Sequence, residues 1–161
     1  MKRPKLHWLM AIGMVAQLTA CSDHWAEVDQ DFEGKCWEMT DTLSLSFECK
    51  DTQQLYQVGF PLTLTDEYPF HNIYLHAVLQ APSGDASVLP SEFVLTDPSG
   101  VWLSQPSGDQ VHFQLNLPEV MRFNQLGEYK LKLFHFMRDP SLCGVADAGI
   151  TIDPFVAEEP K

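Results

Sequence analysis

In the stretch TLSLSFEC, residues 42 to 49, Leu43, Leu45, Phe47 and Cys49 alternate with Thr42, Ser44, Ser46 and Glu48. Successive side chains of an extended chain point to opposite sides, so this stretch specifies a strand with one buried face and one wet face. The same period recurs in VHFQLNL, where Val111, Phe113, Leu115 and Leu117 alternate with His112, Gln114 and Asn116. It recurs again in YKLKLFHFM, where Tyr129, Leu131, Leu133, His135 and Met137 share one face. With LYQVGFPLTL, NIYLHAVLQ, SEFVLTD and AGITID, the count comes to about eight short strands. The tripeptide PSG occurs in APSGD, DPSG and QPSGD. Pro presets φ in such a turn, and Gly supplies a positive φ where the chain re-enters a strand. Apart from an N-terminal leader, no segment longer than a turn or two has a helical period. The expected fold is all-β: a single antiparallel β-sandwich, jelly-roll-like or immunoglobulin-like, over residues 34–153.

The leader has its own logic. Lys2, Arg3 and Lys5 precede an apolar run from Leu6 to Ala16, broken only by His7 and Gly13. That run is too short for a spanning helix, which needs about 20 apolar residues, and fits the ~7–15 of a secretory signal. It ends in Leu18-Thr19-Ala20-Cys21, which looks like a bacterial lipobox. Residues 1–20 then read as a lipoprotein signal peptide, cut before Cys21, with acyl chains on that cysteine as the membrane anchor. Ser22, rather than Asp, follows the cysteine. Outer-membrane residence is the resulting expectation, with the periplasmic face and the cell surface both open. Residues 21–33, polar and acidic, read as a tether, and residues 154–161 as a flexible tail.

Charge removes one class of partner. The chain has 10 Lys+Arg against 22 Asp+Glu. Without Lys2, Arg3 and Lys5, seven bases face 22 acids, a net charge of −15. Such a surface repels phosphate backbones, so nucleic acid is not an expected partner.

Export places Cys36, Cys49 and Cys143 in an oxidising compartment. Cys36 and Cys49 flank an apparent hairpin and form the expected disulfide, leaving Cys143 unpaired, with Cys49–Cys143 as the alternative. No Cys or His spacing matches a metal site, and neither metal nor cofactor is expected.

The residues for catalysis are thin. His24 falls in the tether and His112 on a polar face, while His71 and His76 point opposite ways on one strand. His135 lies on an apolar face, where a core histidine is the simplest reading. Asp29-Gln30-Asp31 reads as a solvated acidic run. Neither Gly-x-Ser-x-Gly, His-Glu-x-x-His nor a phosphate-cradling loop is present, so the chain does not read as an enzyme. Trp37, Trp102, Tyr68, Phe70 and Tyr74 could form a sugar-stacking platform, but Trp37 and Trp102 fall near strand ends, where large residues close a core.

Three blocks carry a family resemblance: DEYPFHNIYL (66–75), DPSGVWL (97–103) and GEYKLKLFHFMRDPSLCGVADAGITI (127–152). In this order, behind a lipobox, they resemble the gliding-motility lipoprotein H (GldH) family of the Bacteroidetes. The resemblance implies a lipoprotein linked to gliding and to the envelope machinery that serves it. The expected function is therefore non-catalytic docking to envelope or motility proteins, with a glycan-binding lipoprotein of a nutrient-uptake system as the alternative. The candidate partner surface is Tyr68, Pro69 and Phe70 together with Arg138 and Asp139.

Overall fold

The computed structural model describes residues 25–156, so the leader, Cys21 and residues 157–161 lie outside the described residues. Twelve strands follow in order: β1 (Ala26–Asp31), β2 (Cys36–Glu38), β3 (Leu43–Cys49), β4 (Leu55–Thr65), β5 (Asn72–Gln80) and β6 (Ala86–Val94). Then come β7 (Pro106–Ser107), β8 (Gln110–Asn116), β9 (Met121–Arg122), β10 (Gly127–His135), β11 (Ser141–Cys143) and β12 (Val145–Pro154). One sheet has the order β1-β12-β4-β8-β7, with β9 also paired to β4; a second has the order β3-β10-β5-β6. A short ribbon, β11-β2, completes the fold, and every strand pair is antiparallel. Among the described residues, no helix is long and apolar enough to cross a membrane.

Alternation reads through directly into burial. Leu43, Leu45, Phe47 and Cys49 of β3, Val111, Phe113 and Leu115 of β8, and Tyr129, Leu131, Leu133 and His135 of β10 are all buried. The two sheets share one core. Phe60 of β4 meets Phe93 of β6 at 6.2 Å, and Phe123 touches Tyr56 of one sheet (5.1 Å) and Tyr129 of the other (5.0 Å). This is the expected all-β sandwich. The glycines of the three PSG turns, Gly84, Gly100 and Gly108, all have positive φ.

The chain departs from expectation at both ends of the domain. Residues 26–31 are not tether: β1 pairs residue by residue with β12, from Ala26↔Ile152 to Asp31↔Asp147. The acids had suggested a solvated run, but Glu27, Asp29 and Asp31 occupy only the exposed positions, with Ala26, Val28 and Gln30 turned partly inward. An edge strand needs only one apolar face, and charge on the other suits an outer surface. The tail also begins inside the fold. β12 runs through Pro154, and the Phe155 N–H donates to the Leu55 carbonyl at 2.7 Å.

The disulfide corrects the expected pairing. Cys36 is bonded to Cys143, and Cys49 is a buried free thiol. Cys36 does not lie on a hairpin with β3. It lies on β2, whose partner is β11, and the register sets Cys143 directly opposite Cys36. Cys49 ends β3 on its inward face, with Sγ 3.7 Å from the Phe123 carbonyl oxygen.

Candidate functional site

The candidate partner residues gather at one end of the sandwich, where β4 and β10 finish and β5 begins. Tyr68-Pro69-Phe70 follows β4, and Arg138-Asp139 follows β10. Tyr68 is only 5% exposed, and its hydroxyl donates to the Asn72 carbonyl at 2.9 Å. Burial raises its pKa, so it stays a neutral donor. Tyr68 therefore shapes this corner from inside and offers nothing to a partner. Phe70 is half-buried, edge-on to Tyr68 at 5.8 Å, while Pro69, Arg138 and Asp139 are exposed. Among the described residues neither Arg138 nor Asp139 makes an ion pair.

Backbone bonds hold the corner beside Arg138. Phe136 N–H donates to the Tyr74 carbonyl at 2.7 Å, the Tyr74 N–H reaches Met137 Sδ at 3.3 Å, and Met39 N–H donates to the Pro140 carbonyl at 2.7 Å. The Phe136 ring is thereby laid flat on His76, with centroids 4.1 Å apart and planes at 12°, yet it remains 60% exposed. Phe134 meets the same imidazole edge-on at 5.8 Å. Strand register extends the surface. Phe134 faces His76 and His76 faces Pro90, while Lys132 faces Val78 and Val78 faces Val88. Val88 and Val94 stand exposed along the edge strand β6. The outer face of this sheet is thus aromatic and aliphatic around Phe134, His76, Pro90, Val78 and Val88, and polar toward β3, where Lys130 and Lys132 face Ser46 and Ser44. The outer face of the other sheet carries Glu27, Asp29 and Asp31 on β1, beside Asp147 on β12.

Phe134 and Phe136 were not among the sequence candidates, although a signal for them exists. Along YKLKLFHFM the wet-side positions run Lys130, Lys132, Phe134, Phe136: the outward face changes from charged to aromatic partway along. His76, considered there only as a residue for catalysis, serves as the platform under Phe136. His71 is held by Thr96 (2.7 Å) and His112 by Thr63 (2.9 Å). Among the described residues, no cluster of three His, Cys, Asp or Glu side chains could hold a metal ion. The sugar platform loses its two tryptophans. Trp37 is fully buried, stacked on Phe32 at 5.0 Å with its Nε1–H donating to the Asp41 carbonyl, and half-buried Trp102 packs edge-on to Phe113.

His135 is fully buried beneath Trp37, with ring centroids 5.4 Å apart. Its Nδ1 accepts a long 3.4 Å bond from the Met137 N–H, and its Nε2 has no hydrogen-bond partner among the described residues. Burial lowers its pKa, and the nearby Trp37 backbone, Glu38 and Asp41 offset this only in part. The unfolded chain therefore binds the proton more readily than the folded one. Stability from this group is full above the ordinary histidine pKa of about 6.5 and is lost as pH falls toward the lowered value, by at most ~1.4 kcal/mol per pH unit. Melting temperatures of wild type and His135→Gln, compared between pH 7 and pH 5, check this. The wild type is expected to lose more over that interval than the variant. Parallel curves would mean that His135 takes up its proton as readily in the fold as in the unfolded chain, against a lowered pKa.

A profile of the family described as "GldH lipoprotein" matches residues 25–152. A protein of Christiangramia forsetii named gliding motility lipoprotein GldH homolog is 23% identical over 124 residues, covering 73% of this chain and 76% of its own. The gliding motility lipoprotein GldH of Flavobacterium johnsoniae is 24% identical over 127 residues, covering 74% of this chain and 79% of its own. Among solved structures, dimeric latent PorU from Porphyromonas gingivalis is 12% identical with a TM-score of 0.36. That alignment covers 81% of this chain but only 13% of PorU. The infectious bursal disease virus Gx strain structure is 14% identical with a TM-score of 0.36, covering 89% of this chain and 36% of its own. Structural likeness at this level is too slight to bear on function. The family match spans nearly the whole described domain, and the chain belongs to the GldH lipoprotein family.

Proposed function

We propose that this chain is a non-catalytic lipoprotein of the cell envelope, held in the outer membrane by a lipid on Cys21, and that it serves gliding motility by docking to another envelope protein. The relatives' names supply the link to gliding. The lipobox, with Ser22 after Cys21, supplies the anchor and its membrane. The observation that carries the docking mode is Phe136, 60% exposed and stacked on His76 within an otherwise strongly acidic protein. Contiguous exposed apolar surface rimmed by polar groups marks interaction sites, and aromatics with Arg dominate the energetics of interfaces. Arg138 and Asp139 extend the surface past Phe136, and Pro69 lies at the same end.

Phe136→Glu in the full chain, followed by crosslinking in intact gliding cells, is the test. Because the ring is mostly in water, the melting temperature should stay within a degree or two of wild type. Recovery of the crosslinked partner should fall about tenfold or more, a loss of ~1.4 kcal/mol or greater. Unchanged partners with an intact fold would reject docking through this face.

A further inference from the structure

We propose that the opposite end of the sandwich, carrying Trp25, Leu126, Phe155 and Val156, is a membrane-contact rim that rests in the interfacial layer of the bilayer holding the anchor. The inference rests on the lipid at Cys21.

Because residues 26–31 form a strand, the link from the anchor to the fold is much shorter than a 21–33 tether would be. Four backbone steps separate Cys21 from Trp25, a reach of at most roughly 14 Å. The headgroup layer of one leaflet is itself about 5–8 Å deep. The end of the domain that starts β1 is therefore leashed at the membrane surface. The Phe136–Arg138 end lies a strand length away, roughly 25–30 Å.

The leashed end carries the side chains that such a position favours. Trp25 is 39% exposed, its ring set against Tyr56 at 4.8 Å and Phe47 at 5.6 Å, and its backbone N–H donates to Asp153 Oδ1 at 3.3 Å. Phe155 and Val156 follow β12 beside it and are 39% and 80% exposed. Phe155 is held in place, since its N–H bonds Leu55 and its carbonyl accepts from Gln54 Nε2 at 3.3 Å. Leu126, also exposed, precedes Gly127, which pairs with Cys49 next to Lys50. Trp25 and Lys50 line one shallow depression of about 280 Å³ with Phe47 and Glu48. An amphipathic Trp packed on Phe47 and Tyr56, at the end that also exposes Phe155, Val156 and Leu126, suits a membrane–water interface. Charge is not the attraction: Lys50 is paired with Glu48 at 3.3 Å, and Asp51 and Asp153 lie close by. The contact is apolar, which makes it insensitive to salt.

The test uses full-length lipoprotein taken from host membranes, with the mass of the Cys21 peptide measured first. Leu126→Cys and, as a control at the far end, Val94→Cys are each labelled with an environment-sensitive fluorophore. Cys36 and Cys143 are bonded and Cys49 is buried, so the introduced thiol is the reactive one. The proteins are placed in phosphatidylcholine–phosphatidylethanolamine vesicles containing a lipid-borne quencher. The label at 126 should be quenched several-fold more than the label at 94, with no change in 1 M salt, where screening acts within about 3 Å. Phe155→Asp with Val156→Asp should return the 126 label to water while the protein stays vesicle-bound. Equal quenching at 126 and 94, or quenching indifferent to the two aspartates, overturns the rim. An unmodified Cys21 in the mass spectrum overturns the anchor, and the rim with it, and is read separately.

Discussion

Reduction of the Cys36–Cys143 bridge is expected to destabilise the domain by about 3–5 kcal/mol. The two cysteines are separated by 107 residues, so the bond closes most of the domain into one loop and removes much of the unfolded chain's freedom. At roughly 3–5 °C per kcal/mol for a domain of this size, the melting temperature should drop by about 10–20 °C. Folded-state packing adds to this. The β2–β11 ribbon has only three residues on each strand, yet it brings Trp37 and Leu142, both essentially inaccessible, into the core. Circular dichroism melts with and without reductant, alongside Cys36→Ser with Cys143→Ser, measure the effect. Both conditions should agree, because Cys49 forms no bridge. A shift under about 1 kcal/mol would show that the bridge adds little, and a peptide map joining Cys49 to either partner would reject the pairing.

Gly144→Ala is expected to cost at least about 3–4 kcal/mol, a large share of the roughly 5–15 kcal/mol that holds a domain folded. Gly144 sits at φ +84°, and a Cβ there would strike the Tyr68 amide nitrogen and lie 2.5 Å from Tyr68 Cα and 2.8 Å from the Glu67 carbonyl carbon. These are backbone atoms and cannot swing aside as a side chain would. Relief would separate the two segments and strain the bonds from Thr65 N–H to the Gly144 carbonyl and from Gly144 N–H to the Lys35 carbonyl, both 2.9 Å. Gly84→Ala is the matched control. Its φ is +92° with open space around the new methyl, so it carries the left-handed cost of about 1–2 kcal/mol and no collision. Chemical denaturation of the two variants isolates the difference. Equal losses would mean that backbone conformation alone, and not the approach to Tyr68, demands glycine at 144.

The strands themselves were legible because alternation is a local property. Leu43-Leu45-Phe47-Cys49 and Tyr129-Leu131-Leu133-His135 are buried as their spacing requires, since a one-residue slip would turn every one of them into water. The PSG turns were legible for the same reason, as Pro and Gly act on their own φ angles. His135 was correctly placed in the core, but its packing against Trp37, and an Nε2 without a hydrogen-bond partner among the described residues, follow from the tertiary fold. Tyr68 shows the limit of a surface read from sequence: it stands beside exposed Pro69, and only the fold turns its hydroxyl inward to Asn72.

By itself the sequence determined which segments extend, which face of each is apolar, where the chain turns and that the body is strongly acidic. Tertiary structure alone decided which strand edges meet. β1 pairs with β12 from the far end of the domain, and that pairing turns an acidic run into an edge strand. β2 pairs with β11, and that pairing matches Cys36 with Cys143. Partner choice between distant strands is settled by how all the apolar faces close one core together. An alternating pattern states that a strand has a buried side, but not which strand will lie beside it.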